Sequence, residues 1–479
     1  MTAPAQKSKM VAFWQTVGMR FLPFADAATP DLPLGRLLRL SLFQISVGMA
    51  AVLLTGTLNR VMIVELSIPA SIVALMIALP VLAAPFRVLI GHRSDTYKSV
   101  LGWRRVPYLW FGTLLQFGGL AIMPFALLLM NYQTVGPEWA GPAAAALAFL
   151  VTGFGMHMTQ TAGLALATDL AAPDNRPRVV ALVYVVLLVG MILASLAFGA
   201  LLADFGATRL IQVIQGAAAL TVFINVIALW KQEVRNPQAT SAARERASFS
   251  EAWRAYRADP NTGRLLLAVG LGSAAFSMQD VLLEPFGGEI LGLSVAGTTR
   301  LTAAWASGAL VGFGVAGSLL HRGFNMHRIA ALGVLFGIVA FTAVILSSPL
   351  GSTPLFVAGV TLIGFGGGLF AVSTMLAAMA LADRSDSGFA IGAWSAVQAT
   401  AIGIGLAAGG VIRDVVNAAA TTGSLGEALH SAATGYNTVY HIEIFLLFAS
   451  LVVIGPLTNR TGATHSSNPA QFGLAELPG

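Results

Sequence analysis

Residues 179–202 read VVALVYVVLLVGMILASLAFGALL, a run without one charged side chain. At about 1.5 Å of rise per residue, a helix of this length crosses the roughly 30 Å hydrocarbon core of a bilayer. Lipid offers backbone groups no hydrogen-bond partner, so the run reads as a helix that satisfies its own N–H and C=O groups. Similar runs recur on both sides of it. The first half of the chain is expected to form helices near 37–62, 70–91, 106–130, 142–169, 179–202 and 209–230. The second half is expected to form them near 265–290, 298–320, 328–348, 354–381, 388–412 and 438–458. The composition agrees: of 479 residues, 56% are hydrophobic and only 10% charged, and the mean hydropathy is +0.78. The 51 glycines suit close helix packing in lipid. The expected fold class is therefore all-α, a polytopic membrane protein with twelve transmembrane helices in two six-helix halves.

The domain organisation follows from these spans. Residues 1–36 form an N-terminal segment, 37–230 the first half, 231–263 a polar linker rich in Arg and Ala, 264–458 the second half and 459–479 a tail. Basic residues set the orientation. Of the 27 Lys and Arg, only Arg60, Arg209, Arg300 and Arg413 are placed outside. The others fall in the termini, in the even-numbered loops or at the helix ends beside them. Both termini are thus expected in the cytoplasm, as an even helix count also requires. The net charge of +6 is explained by this loop bias and does not suggest nucleic-acid binding. The lack of Cys excludes a disulfide framework, a thiolate nucleophile and a Cys-ligated metal. Met1 to Pro33 has no uninterrupted apolar run before a small-residue cleavage site, so no cleavable signal is expected.

The halves echo one another. LALATDLAAPDNRPRVVALVY at 164–184 matches LAAMALADRSDSGFAIGAW at 376–394 in its small-residue helix, its terminal Asp, its polar loop and its second helix. Val64-Glu65-Leu66-Ser67 and Leu291-Gly292-Leu293-Ser294 follow the first helix of each half. Two parallel six-helix repeats are the plan of the major facilitator superfamily. The loop Gly91-His92-Arg93-Ser94-Asp95, followed by Gly102-Trp103-Arg104-Arg105, resembles the signature loop of that superfamily. Gly91 permits close helix approach, Asp95 offers charge to the positive N-terminus of a neighbouring helix, expected near Gly388, and Arg104 and Arg105 stay with the headgroups. With Asp169 and Arg176 in one half and Asp383 and Arg384 in the other, these residues are expected to form a conformational latch. Exposed ion pairs contribute about 0–1 kcal/mol each, so such a latch needs several acting together.

Polar side chains within the spans are expensive and mark candidate sites or interhelical bonds. They are Gln44, Asn59, Gln116, His157, Gln160, Gln279 and Gln398. Among the acids, Glu65 is expected to pair with Arg60, and Glu284 and Glu289 with Arg300. Glu65, Asp280, Glu284 and Glu443 are the candidate acids for proton-coupled transport, and of these only Asp280, beside Gln279, sits deep enough for a relay, where it stands alone. Two amphipathic segments lie outside the bundle. Met10, Phe13, Trp14, Val17 and Phe21 recur at helical spacing, and Phe249, Trp253 and Tyr256 follow a capping box from Ser248 to Glu251. No catalytic constellation is present, and no enzyme activity is expected. Gly364-Phe365-Gly366-Gly367-Gly368 reads as helix packing, because no strand precedes it.

Four longer strings carry a closer resemblance: Leu53-Leu54-Thr55-Gly56-Thr57-Leu58-Asn59-Arg60-Val61-Met62-Ile63-Val64-Glu65-Leu66, Ala84-Pro85-Phe86-Arg87 through Asp95, Gly102 through Tyr108, and Thr159 through Asp169. They resemble the PucC/LhaA family, the bacteriochlorophyll-delivery branch of the major facilitator superfamily in phototrophic bacteria. Phe21-Leu22-Pro23-Phe24-Ala25-Asp26-Ala27 is similar to the LhaA subgroup, which assists assembly of light-harvesting complex 1. The resemblance implies bacteriochlorophyll as cargo, with carotenoid or lipid as further ligands. It implies the light-harvesting 1 alpha and beta polypeptides as partners, with the reaction centre, bacteriochlorophyll synthase and a second copy of the chain as further ones. It also implies a place in the bacterial inner, intracytoplasmic membrane. A flat ring with a central magnesium needs an apolar cleft and accepts an imidazole axial ligand. The candidate pigment-binding residues are His157, Gln160, Met156 and Met158, with Gln44, Asn59 and Gln116. His157 is the one candidate ligand to the pigment's magnesium, and its competing role is an interhelical hydrogen bond.

Overall fold

The computed structural model describes residues 32–83, 103, 105–131, 137, 139–172, 175–233, 260–380 and 387–460. The first half holds α1 (Leu34–Glu65), α2 (Ala70–Leu82), α3 (Val106–Asn131), α4 (Ala140–Leu170), α5 (Arg176–Leu201) and α6 (Ala207–Leu229). In the second half, α7 comprises Pro260–Ser277, a 3-10 turn over Met278–Val281 and a last piece, Leu283–Glu289. It is followed by α8 (Val295–His321), α9 (Met326–Ser347), α10 (Thr353–Ala380), α11 (Ser387–Thr421) and α12 (Ala433–Arg460). Eleven of the helices are long and apolar enough to cross a membrane, and α2 is a shorter apolar helix over its described residues. The signature loop after α2, including Gly91, Asp95 and Arg104, lies outside the described residues, as do Asp383, Arg384 and both amphipathic segments.

Two helices expected to be regular are not. In α1 the backbone widens into π-helix over Val52–Leu58 and again over Val61–Glu65. Here Thr55 donates to the Ala51 carbonyl at 2.9 Å, and the Asn59 side chain donates to the Thr55 carbonyl. Side chains competing for backbone acceptors in this way bend helices, and π-bulges gather at functional positions. In α7 the cause is Pro285. It has no N–H to donate to the carbonyl of Val281, four residues earlier, and its ring crowds that carbonyl. The chain tightens into the 3-10 turn just before it. The piece after the break places Phe286 against Phe356, Tyr436 and Tyr440, with ring centroids 5.3, 5.6 and 5.6 Å away.

Glycines set the closest helix contacts. Gly308 and Gly312 of α8 meet the backbone of Thr361 and Phe365 on α10, while Gly364 and Gly368 meet the backbone of Trp305 and Ala309 on α8. Gly366 faces Gly333 on α9. The Gly364–Gly368 run is therefore a helix-packing device. In the first half, Gly112 and Gly119 of α3 lie against Thr159 and Thr152 of α4.

A side chain at Gly364 has no room, because the facing atoms are backbone. Gly364→Leu is expected to lower the thermal midpoint and the yield of monodisperse protein, at a cost of about 1–3 kcal/mol or more. Gly216, with nothing within 4 Å, serves as the control. Gly216→Ala is expected to leave the midpoint unchanged or raise it, by up to about 1 kcal/mol. Fluorescence-detected size exclusion after heating reads both.

Candidate functional site

Among the described residues, the halves are joined at the end of the bundle away from the start of α1 and the end of α12. Asp414 of α11 accepts hydrogen bonds from the backbone of Ala70 at 3.3 Å and Ser71 at 2.7 Å. It thereby caps the N-terminus of α2, whose own N-cap position is a proline with no side-chain bond. Below this cap, Gly410 lies against Ala70 and Ala74, and Gly403 against Leu82. Between α5 and α8, the Ser195 hydroxyl donates to the Thr299 carbonyl and Gly199 faces Arg300. Thr57 of α1 meets Thr299 at 3.2 Å, and the Asn59 amide reaches the Asp280 carbonyl at 3.3 Å. Apart from Gly403 against Leu82, which lies at mid-bundle, these contacts lie in the half of the bundle far from the start of α1 and the end of α12.

The expected acid pairs are partly rearranged. Arg60 pairs with Glu65, as expected, and also donates to the Leu293 carbonyl at 3.3 Å. Glu289 pairs not with Arg300 but with Arg413, at 2.7 Å, and accepts from the Tyr436 hydroxyl at 2.8 Å. Glu284 accepts from Thr302 at 3.1 Å. The helix register explains this, since the break in α7 turns Glu284 inward toward α8 while Glu289 emerges near α11 and α12.

The candidate pigment residues fall into two groups. His157, Gln160, Met156 and Met158 are half-buried along the middle of α4. Thr152, Gly155 and Thr159 form the row that packs on α3. At about 100° per residue, His157 projects from the opposite side of the helix, with Gln160 on the flank nearest to it. Gln116, Gln44 and Asn59 are fully buried. Gln116 donates to the Ser46 carbonyl at 2.7 Å; the Ser46 hydroxyl donates to Asn225, and the Asn225 amide to Thr113, at 2.9 and 2.8 Å. This chain of bonds ties α1, α3 and α6 together, so Gln116 serves as interhelical glue. Gln44 differs: neither its amide nitrogen nor its oxygen has a hydrogen-bond partner among the described residues.

Of the latch residues, Arg105 and Asp169 form an ion pair at 3.0 Å within the first half. The Glu233 carboxylate accepts from the backbone of Arg105 and Val106, at 3.0 and 2.9 Å, and caps α3 from the end of α6. Arg176 is exposed at the start of α5.

One feature escaped the sequence reading. Between the terminal-side ends of α3 and α6 lies an open apolar groove of about 820 Å³, walled by Trp103, Trp110, Phe111, Val226 and Trp230. Its volume falls in the range of small-molecule sites. The signal was available: three tryptophans close to the ends of two helices form an interfacial belt.

Gln44→Leu removes two buried, unpartnered polar atoms, each of which costs about 1–3 kcal/mol when left unsatisfied. The ligand-free protein is therefore expected to gain thermal stability from this change, as measured by the midpoint of unfolding in detergent. An unchanged or lowered midpoint would show that the amide has a partner in the folded state.

The PUCC protein family matches residues 57–462. A relative from Rhodobacter capsulatus, "Uncharacterized protein in puhA-bchM intergenic region", is 57% identical over 470 residues, 97% of this chain and 98% of its own. Protein PucC of Rhodovulum sulfidophilum is 55% identical over 431 residues, 88% of this chain and 94% of its own. Among solved structures, a bacterial homologue of the human lysosomal transporter Spinster, inward-facing and unoccupied, matches with a TM-score of 0.69 at 16% identity, over 88% of this chain and 96% of that one. The nucleoside transporter NupG matches with a TM-score of 0.63 at 16% identity, over 88% and 99%. The fold is that of the major facilitator transporters, a multi-pass membrane bundle, and the chain belongs to the PUCC protein family.

Proposed function

We propose that this protein is an assembly factor for light-harvesting complex 1 in a phototrophic bacterium. It binds bacteriochlorophyll and delivers it to the antenna alpha and beta polypeptides. The reading rests on membership of the PUCC family and on likeness to Protein PucC over most of the chain. The observation that carries the pigment role is the half-buried His157, on the side of α4 opposite the row that packs on α3, with Gln160 on its nearest flank. In an apolar setting the imidazole offers one nitrogen for the metal of a magnesium macrocycle, and Met156 and Met158, on its two flanks around the helix, offer polarizable contacts. Magnesium would supply only the axial bond, and His157 would hold and orient the ring. The aromatic groove between α3 and α6 offers a second apolar surface, open to the side, along which a ring or its tail could pass. Carotenoid or lipid would suit the same groove.

In this reading the protein sits in the inner, intracytoplasmic membrane with both termini in the cytoplasm. The junction at Asp414 then closes the bundle on the outer side. The reaction centre, bacteriochlorophyll synthase and a second copy of the chain are further partners. A second reading, a secondary transporter working by alternating access, is favoured by that closure among the described residues and by the transporter fold. A third, a pigment-free scaffold for antenna polypeptides, would use the amphipathic segments around Met10 and Phe249, which lie outside the described residues.

Purification in mild detergent from a pigmented host, followed by absorption spectroscopy and pigment extraction, separates these. Delivery predicts stoichiometric bacteriochlorophyll, with a band that His157→Ala shifts or removes. Pigment unaffected by His157→Ala would move the site elsewhere. A repeatedly colourless protein that still captures antenna polypeptides would favour the scaffold, and one without partners would favour transport.

A further inference from the structure

The interior of the second half holds three acidic side chains that pigment handling does not use. Asp280 sits in the 3-10 turn of α7, Glu284 just beyond it, and Glu443 on α12, which packs against that turn. By helix rise, Asp280 and Glu443 each lie about 14–15 Å from the far end of their helices, near mid-membrane. Glu443 is 0% exposed and Glu284 7%, whereas Asp280 is only half-buried. Asp280 was expected to stand alone; α12, which carries Glu443, packs against the turn that holds Asp280, and Glu284 follows in the next piece of α7.

The cluster has more acceptors than hydrogens. The Asn59 amide is used by the Thr55 and Asp280 carbonyls, the Gln279 amide by the Phe276 carbonyl and the Asp280 carboxylate, and the Thr302 hydroxyl by Glu284. Both oxygens of Glu443, Gln279 Oε1, Asn59 Oδ1 and the Tyr440 hydroxyl have no hydrogen-bond partner among the described residues. Gln279, Asn59 and Tyr440 are each 0% exposed. The Tyr440 hydroxyl and the Gln279 backbone N–H beside Glu443 cannot between them serve four such oxygens, and burying an unpaired carboxylate costs several kcal/mol.

Among the described residues, the surrounding elements supply no cation that is not already engaged elsewhere or exposed. On α1, Arg60 is held by Glu65 and the Leu293 carbonyl. On α11, Arg413 is held by Glu289, Asp414 and the Tyr436 hydroxyl. On α8, Arg300 lies beside Gly199, and on α12, His441 is exposed against the Asn437 carbonyl. The described part of α2 carries no titratable side chain. Among the described residues no group of three or more His, Cys, Asp or Glu is placed to hold a metal ion.

We propose that Asp280, Glu443 and their neighbours Gln279, Asn59 and Tyr440 form a proton-binding site in the break of α7. Glu443 holds a proton inside the bundle, and the half-buried Asp280 exchanges protons with the space between the halves. Asn59 belongs to the first half and Asp280 to the second, so the charge at this site is felt directly across the junction of the halves. This goes beyond pigment delivery and does not depend on it.

The test is an infrared titration of the full chain, prepared from a host that makes no pigment, in sodium-containing and in sodium-free buffer. The expected result is a protonated-carboxyl C=O band at neutral pH in both buffers, shifted in D2O and lost on titration to alkaline pH. Glu443→Gln is expected to remove a component of that band while keeping or raising the thermal midpoint, because the amide brings the missing hydrogens. Asp280→Asn is expected to shift the alkaline titration of the remainder. The absence of a protonated band in wild-type protein would overturn the proposal without any variant having to fold. So would a band that both variants leave unchanged, or one present only when sodium is removed, which would make this a sodium site. None of these outcomes bears on whether bacteriochlorophyll co-purifies.

Discussion

In hydrocarbon, a backbone N–H or C=O that lacks a partner within the protein has none at all. That constraint underlies everything else in this structure. It turns each apolar run into a helix, and it makes every departure from regular helix depend on a specific substitute. Around the widened turns of α1 the substitutes are Thr55 and Asn59. At α7 the donor missing at Pro285 is accommodated by a 3-10 turn. At the start of α2 a proline leaves the first amides without a local cap, and a carboxylate from the other half supplies it. Irregular backbone therefore appears where side chains from several helices converge, and those places are also where the polar chemistry collects.

The same constraint explains how the two halves hold together. Apolar side chains gain little by leaving lipid for one another, so association in a bilayer relies on close backbone approach and on hydrogen bonds. The junction uses both. Gly410 and Gly403 bring α11 onto α2, and Ser195, Thr57, Asn59 and Asp414 provide polar bonds at the same level. Within the first half, Gln116, Ser46, Asn225 and Thr113 do the same for α1, α3 and α6. What distinguishes Gln44 and Glu443 from this glue is that no side chain among the described residues pairs with their polar atoms.

Much of this was legible in the sequence. The helix positions followed from hydrophobic runs, because a membrane span is long and uninterrupted. The role of Gly364–Gly368 followed from its place inside such a run. The Arg60–Glu65 pair followed from nearness in the chain. What could not be read was anything set by rotation between helices. Glu289 was assigned to Arg300 by proximity in sequence, whereas its partner Arg413 lies on α11, 124 residues away. Asp280 looked solitary because Glu443 is remote in the chain and shares no motif with it. The groove beside Trp103, Trp110 and Trp230 needed α3 and α6 to be recognised as neighbours.

The bond between Ser71 and Asp414 spans 343 residues. A chain synthesised at about 5–20 residues per second exposes the start of α2 for roughly 17 to 70 s before its carboxylate partner is made. In the later part of that interval, after Leu229 has been made, the first six helices are complete but the start of α2 is still uncapped. The first half must therefore wait in the membrane with a polar, positively polarised helix end, and insertion of α11 is the event that closes the molecule. A truncated chain ending before Asp414 would remain in that waiting state, which makes this single bond a natural marker separating nascent from finished protein.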